Sequence, residues 1–137
     1  MPMTAADYVR ELSLAMQERY AEDCVAHACR IAELLLAERR APWIGRIRHI
    51  EQRGDSEFRG YLFPRRYAGT GAMAWTTHYV ACAGGKAYDP LAGEPVDVDA
   101  YAEAVFGKPL PVVMHLDAAE TERLLINGEL RTTIPAR

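Results

Sequence analysis

Cysteine is scarce in this chain, long apolar runs are missing, and neither sign of charge dominates. Each shortage removes a class of answer. Three cysteines, Cys24, Cys29 and Cys82, are an odd number and too few for a disulfide framework. They are read as thiols, with Cys29 and Cys82 as small buried hydrophobes. The domain must therefore stand on an apolar core, and 137 residues are enough for one such domain. Apolar runs such as Leu34-Leu35-Leu36-Ala37 are only a few residues long, far short of the roughly 20 residues of a spanning helix, so no membrane segment is expected. Asp7, Arg10 and Glu11 interrupt the start, which argues against a cleaved signal peptide. The expected location is the cytoplasm, or outside the cell by a route that needs no such signal.

A net charge of −3 advertises no broad basic surface, so nucleic acid is not an expected partner. Arg39, Arg40, Arg46, Arg48, Arg53, Arg65 and Arg66 still make the middle locally positive, either as a solvated face or as a surface for an anionic partner. No glycine-rich phosphate loop follows a strand, and the zinc-deaminase signature is missing. Cys24, His27 and Cys29 on one helix cannot converge on a tetrahedral ion without ligands from elsewhere. The sequence thus implies no metal and no cofactor.

What is present is a change of character near Trp43. Before it, Val9, Leu12, Met16 and Tyr20 step by three and four, a helix that Thr4 could cap. Ala28, Ile31, Ala32 and Leu35 carry a second apolar series to about Arg40, ahead of Pro42. One helix of over thirty residues would be long for this domain, and Asp23 is placed to cap a new one. A break near Ala21–Asp23 is therefore expected. After Trp43, Ile44, Ile47 and Ile50 suggest a strand, 52–56 a turn, and Phe58–Phe63 the return. A strand follows over Thr77–Ala83, and Lys86–Asp89 pairs back onto it. Asp97 or Asp99 caps a short helix to Phe106, with Gly107 as its C-terminal stop. A strand over Pro111–Leu116 and a last helix over Ala118–Asn127 complete an α+β domain.

The hairpin between His78 and Asp89 carries the most chemical information. Gly84-Gly85 suits a two-residue type I′ or II′ turn, because glycine accepts positive φ at no steric cost. That turn pairs Ala83 with Lys86, Cys82 with Ala87 and Ala81 with Tyr88. Alternation then puts His78, Val80, Cys82, Ala87 and Asp89 on one face, and Tyr79, Ala81 and Tyr88 on the other. His78 and Asp89 become diagonal neighbours, within reach of one another's side chains. Upstream, Cys24 stands where a helix is expected to begin, among unpaired N–H groups that favour a thiolate. Cys24 as nucleophile, His78 as base and then acid, and Asp89 as the group that fixes the tautomer form one coherent set.

Each of these residues also has a plain structural reading. Cys24 could be a core thiol, His78 a strand histidine bonded to a local carbonyl, and Asp89 before Pro90 a turn former. Trp75 either walls a cleft beside His78 or packs in the core. His27 lies on the Cys24 side of its helix and either tunes the thiol or faces solvent, while His49 and His115 show no partner in the sequence.

The segments His78-Tyr79-Val80 and Tyr88-Asp89-Pro90-Leu91-Ala92-Gly93 resemble the His-x-Val … Asp-Pro-x-x-Gly stretch of bacteriocin-processing peptidases. They are similar too to papain-fold toxin and transglutaminase-like domains, all of the papain-like fold in its broad sense. Asp23-Cys24, followed by Ala26, Ala28 and Ala32, resembles the cysteine helix of the same group. Val25 stands where that group commonly has a small residue, and Gln17, seven residues before Cys24, is offset by one from its oxyanion glutamine. The resemblance implies helices packed on an antiparallel sheet. It also implies an acyl-cysteine reaction on an amide or thioester, a protein or peptide substrate, and Gln17 as an oxyanion donor. The competing expectation is a papain-like binding or regulatory module without catalysis. The sequence carries no sign of an oligomeric state.

Overall fold

In a computed structural model of the protein, residues 3–15, 20–67, 75, 77–107 and 112–116 are described, with backbone alone at 20–23, 25, 67 and 112–116. Two helices come first, α1 (Ala5–Ala15) and α2 (Tyr20–Ala37). Thr4 begins α1 with a reciprocal pair of bonds: its Oγ1 accepts from the Asp7 N–H at 3.0 Å, and its own N–H donates to Asp7 Oδ2 at 3.3 Å. The two helices fold back on each other. The Ala5 N–H donates to Glu38 Oε2 at 2.8 Å, and the Tyr8 hydroxyl meets His27 Nδ1 at 3.2 Å. A single straight helix, rising about 1.5 Å per residue, would hold Ala5 and Glu38 roughly 50 Å apart. The chain therefore does break, but before Tyr20 and not at Ala21–Asp23. Asp23 lies within α2, in a stretch with no glycine or proline to interrupt the helix.

The α2 helix ends in a Schellman motif, with Arg39 at φ +62°, the Arg39 N–H on Leu36 O at 2.9 Å and the Arg40 N–H on Leu35 O at 2.9 Å. Arg40 Nη1 then donates to the Tyr88 hydroxyl at 2.9 Å, which ties the end of α2 to the sheet.

The sheet is antiparallel at every described pairing. Strand β1 (Trp43–Arg53) pairs with β2 (Ser56–Gly60), β3 (His78–Ala83) and β6 (Val112–Leu116). β3 pairs with β4 (Lys86–Tyr88), and β4 with β5 (Val96–Asp97). The return strand after the first hairpin stops at Gly60, short of the expected Phe63; Leu62 instead bridges to Trp75. Helix α3 (Val98–Phe106) closes with the Gly107 N–H on Glu103 O at 2.8 Å, Gly107 lying at φ +67°. Asp97 occupies its N-cap position without a side-chain cap bond, since its carboxylate binds Lys86 Nζ at 2.6 Å instead. The expected helix over Ala118–Asn127 lies outside the described residues. The fold is α+β, and among the described residues no helix is long and apolar enough to cross a membrane.

Two apolar clusters flank the sheet. One holds Ala5, Val9, Ile31, Ala32, Leu34 and Leu35 of the helical pair against Ala81, Ala83 and Tyr88. The other holds Val80, Cys82 and Ala87 with Ile47, Leu62, Trp75, Leu91, and Tyr101, Val105 and Phe106 of α3. Cys24 belongs to this second cluster, although the later turns of α2 belong to the first. Helix α2 thus contributes to both, and its Cys24 end is the one that meets the α3 side.

Candidate active site

The site grows out of the β3–β4 turn. Gly84 and Gly85 sit at φ +58° and +76°, the two positive values that a type I′ turn needs. The ladder Ala81–Tyr88, Cys82–Ala87 and Ala83–Lys86 follows directly. Val80, Cys82 and Ala87 enter one cluster while Ala81 and Tyr88 enter the other. Tyr79, near the strand's start, departs from this alternation and packs against the Val80 cluster.

His78 and Asp89 are both fully buried, at 0 % exposure. His78 Nε2 donates to Asp89 Oδ2 at 2.8 Å. The other carboxylate oxygen, Oδ1, accepts the Leu91 N–H at 2.9 Å, and the Asp89 carbonyl accepts from Ala92 at 2.9 Å and Gly93 at 3.3 Å. Asp89 is therefore at once a turn former and the partner of His78, with one oxygen for each task. A third donor, the Tyr101 hydroxyl on α3, also reaches Oδ2.

Cys24 completes the set. Its sulfur is close enough to the His78 ring to help raise it. Asp89 occupies Nε2, so Nδ1 is the ring nitrogen that remains for the sulfur. Cys24 is 8 % exposed and stands fifth in the described length of α2. Helix-end effects fade within the first turn, so His78, more than the helix terminus, sets its surroundings.

Aromatic rings enclose the imidazole. Trp75 stacks on it with centroids 4.9 Å apart and planes 18° from parallel, and Phe106 meets it edge-on at 5.8 Å. Trp75 thus packs in the core and forms a wall beside His78 at the same time. A stacked indole face also favours the cationic form of the ring.

The charge balance of the pair is set by competing effects. Burial alone would drive the His78 imidazolium toward neutrality. The Asp89 charge and hydrogen bond, with a further contribution from Cys24, outweigh burial and raise the ring to about 9. For Asp89, burial pushes upward, but the His78 charge and the bonds from His78, Tyr101 and Leu91 hold the carboxyl below its ordinary range. Cys82, buried near the same carboxylate, is raised by burial and by the Asp89 charge, as suits an inert core thiol.

Of the remaining sequence candidates, Gln17 and the side chain of His115 lie outside the described residues. His27 binds the Tyr8 hydroxyl, facing α1 rather than solvent alone. His49, which shows no partner in the sequence, is buried with Nδ1 3.3 Å from Tyr61 O. Among the described residues no group of three His, Cys, Asp or Glu side chains is placed to hold a metal ion. Tyr101 and Phe106 were not singled out from the sequence. The spacing of Val98, Tyr101 and Val105 marks an apolar helix face, and a buried tyrosine hydroxyl needs a partner; that was the available signal.

A buried imidazole bonded to a carboxylate and close to a thiol can hold the sulfur's proton and give it to a leaving group. That is the requirement for covalent catalysis through cysteine. No family model, curated protein or solved structure matches the chain.

Proposed function

We propose that this protein is a cysteine-nucleophile hydrolase or acyl transferase of papain-like architecture, acting on an amide or thioester. The observation that carries the proposal is that one buried imidazole, His78, is bonded to Asp89 and also feels the nearby Cys24 sulfur. Cys24 acts as a thiolate beside the His78 imidazolium, which already holds the sulfur's proton, and Sγ attacks the carbonyl carbon. The carbon–nitrogen or carbon–sulfur bond of the substrate then breaks, and His78 protonates the departing amine or thiol. Water, or a second amine, attacks the acyl-cysteine, giving its proton to His78 and releasing the Cys24 thiolate, so that the ion pair is restored. Asp89 keeps the imidazole in the tautomer with hydrogen on Nε2 throughout. A protein or peptide is the expected substrate, and peptidase, amidase, deamidase and transglutaminase-like outcomes share these steps.

A second reading is a papain-like binding or regulatory module. It is favoured by the near-complete burial of Cys24 within an apolar cluster. Iodoacetamide separates the two. On the enzyme reading, Cys24 of the native protein alkylates faster than free cysteine at pH 6–7, and His78→Ala removes that advantage. A native Cys24 that stays unmodified while Cys24 of the unfolded chain reacts, with no change on His78→Ala, overturns it. Intact-mass detection of an acyl adduct on Cys24, lost in Cys24→Ser, would then report substrate classes directly.

A further inference from the structure

Helix α3 approaches the His78–Asp89 pair with two side chains. Phe106 meets the imidazole in a T-shaped contact at 5.8 Å, and Tyr101 presents a hydroxyl to the carboxylate. Tyr101 is itself fully buried, at 0 % exposure, and its ring meets Phe106 at 6.3 Å, nearly edge-on. A tyrosine used only for packing would bury a polar oxygen at a cost. Here that oxygen is aimed at the same carboxylate atom, Oδ2, that accepts from His78.

The three described donors divide over the Asp89 carboxylate in a specific way. The Leu91 N–H holds Oδ1 and so fixes the rotation of the group relative to its own turn. His78 and Tyr101 come from β3 and α3, distant in sequence, and meet on Oδ2. A second donor on that oxygen draws electron density from it and makes it a weaker base toward the imidazolium proton. The proton then stays on Nε2 while Nδ1 exchanges its own with sulfur, as an orienting carboxylate must allow. The same bond holds Oδ2 where His78 reaches it.

We propose that Tyr101 is a positioning residue of the Cys24–His78–Asp89 site, its hydroxyl sharing Asp89 Oδ2 with His78 so that the carboxylate stays ionised and turned toward the imidazole. The role rests on the cysteine-nucleophile reading of that site. Tyr101 meets the site at the Asp89 carboxylate, and it acts through that group. Its effect therefore belongs in a pH profile.

The test is an NMR titration of the His78 ring nitrogens in wild type and Tyr101→Phe, beside the pH profile of Cys24 alkylation. Phenylalanine keeps the ring and removes only the donor. A hydrogen bond to a charged group is lost, so the acid-side transition of the His78–Asp89 pair should move up by about one pH unit. The acid limb of the alkylation profile should move with it. In an Asp89→Asn background the same substitution should produce no further shift, because the carboxylate it acts on is gone. If Tyr101→Phe does not fold, 3-fluorotyrosine at position 101, a stronger donor of nearly the same shape, should move the transition down instead. A His78 titration unchanged by either replacement overturns the role of Tyr101, whatever happens to stability. Failure of the enzyme reading looks different: there the alkylation profile ignores His78→Ala, while the NMR titration still reports on Tyr101.

Discussion

Strand β3 has two faces, and they are built on opposite plans. Toward the helical pair it offers Ala81 and Ala83, both fully buried, against Ile31, Leu34 and Leu35. Small strand residues let long helix side chains close over the sheet, and β3 contributes no polar side chain there. Toward α3 it offers His78, Val80 and Cys82, among Trp75, Tyr101 and Phe106. Rings and a titratable pair fill this side, and each polar atom has to find a partner. The difference separates two kinds of stability. One face is held by shape, which pH hardly touches; the other is held partly by charge, which pH controls. A domain of this size can afford a buried ion pair only if an unrelated face secures the fold.

Four measurements would break or sharpen that contrast. Asp89→Ala should have the largest effect. It strands the His78 ring in the core without its counter-charge, a change that costs about 3–5 kcal/mol of unfolding free energy by urea denaturation. Leu35→Ala, on the opposite face, should cost roughly 2–5 kcal/mol through the cavity it leaves. It should nonetheless leave the His78 titration where it is. If Leu35→Ala moved that titration, the two faces would be coupled and the contrast would fail.

Third comes the pH dependence of stability. His78 is raised from 6.5 to about 9, so its contribution is full below 6.5 and is lost as pH rises through about 9. Asp89 is lowered from 3.8, so its contribution is full above 3.8 and is lost as pH falls through its lower folded value. The pair therefore stabilises the fold fully between about pH 4 and 6.5. Chemical denaturation across pH should show losses on both flanks, and Asp89→Asn should flatten them. The smallest effect is expected at the rim of the hairpin. Lys86 and Asp97 are 2.6 Å apart but 46 % and 70 % exposed, so Lys86→Ala should cost no more than about 1 kcal/mol and less in high salt.

How much of this was legible in the sequence depended on how local the cause was. The β3–β4 hairpin was readable because a two-residue glycine turn fixes register, and register fixes faces. With Gly84-Gly85 read as a two-residue turn, His78 and Asp89 fall as diagonal neighbours. The apolar steps of α2 were equally plain, as were Thr4 at the start of α1 and Gly107 at the end of α3. The turn between the first two helices was not. Asp23 has the chemistry of a cap, but capping is decided by where the chain turns, and tertiary contacts such as Ala5–Glu38 decide that. The early end of β2 was hidden for a similar reason, since Leu62 leaves β1 to pair with Trp75, a partner distant in sequence. Tyr101 was hidden most of all, as nothing near it in sequence announces a carboxylate twelve residues back.

Asp89 divides its two oxygens between the turn and the imidazole, so one side chain belongs to two structures at once. The chain cannot open the Pro90–Gly93 bend by releasing the Leu91 amide without also loosening the carboxylate that faces His78. Opening of the bend and dismantling of the site should thus be a single cooperative event. The hydrogen-exchange rate of one backbone amide, Leu91, becomes a gauge of how often this protein is armed.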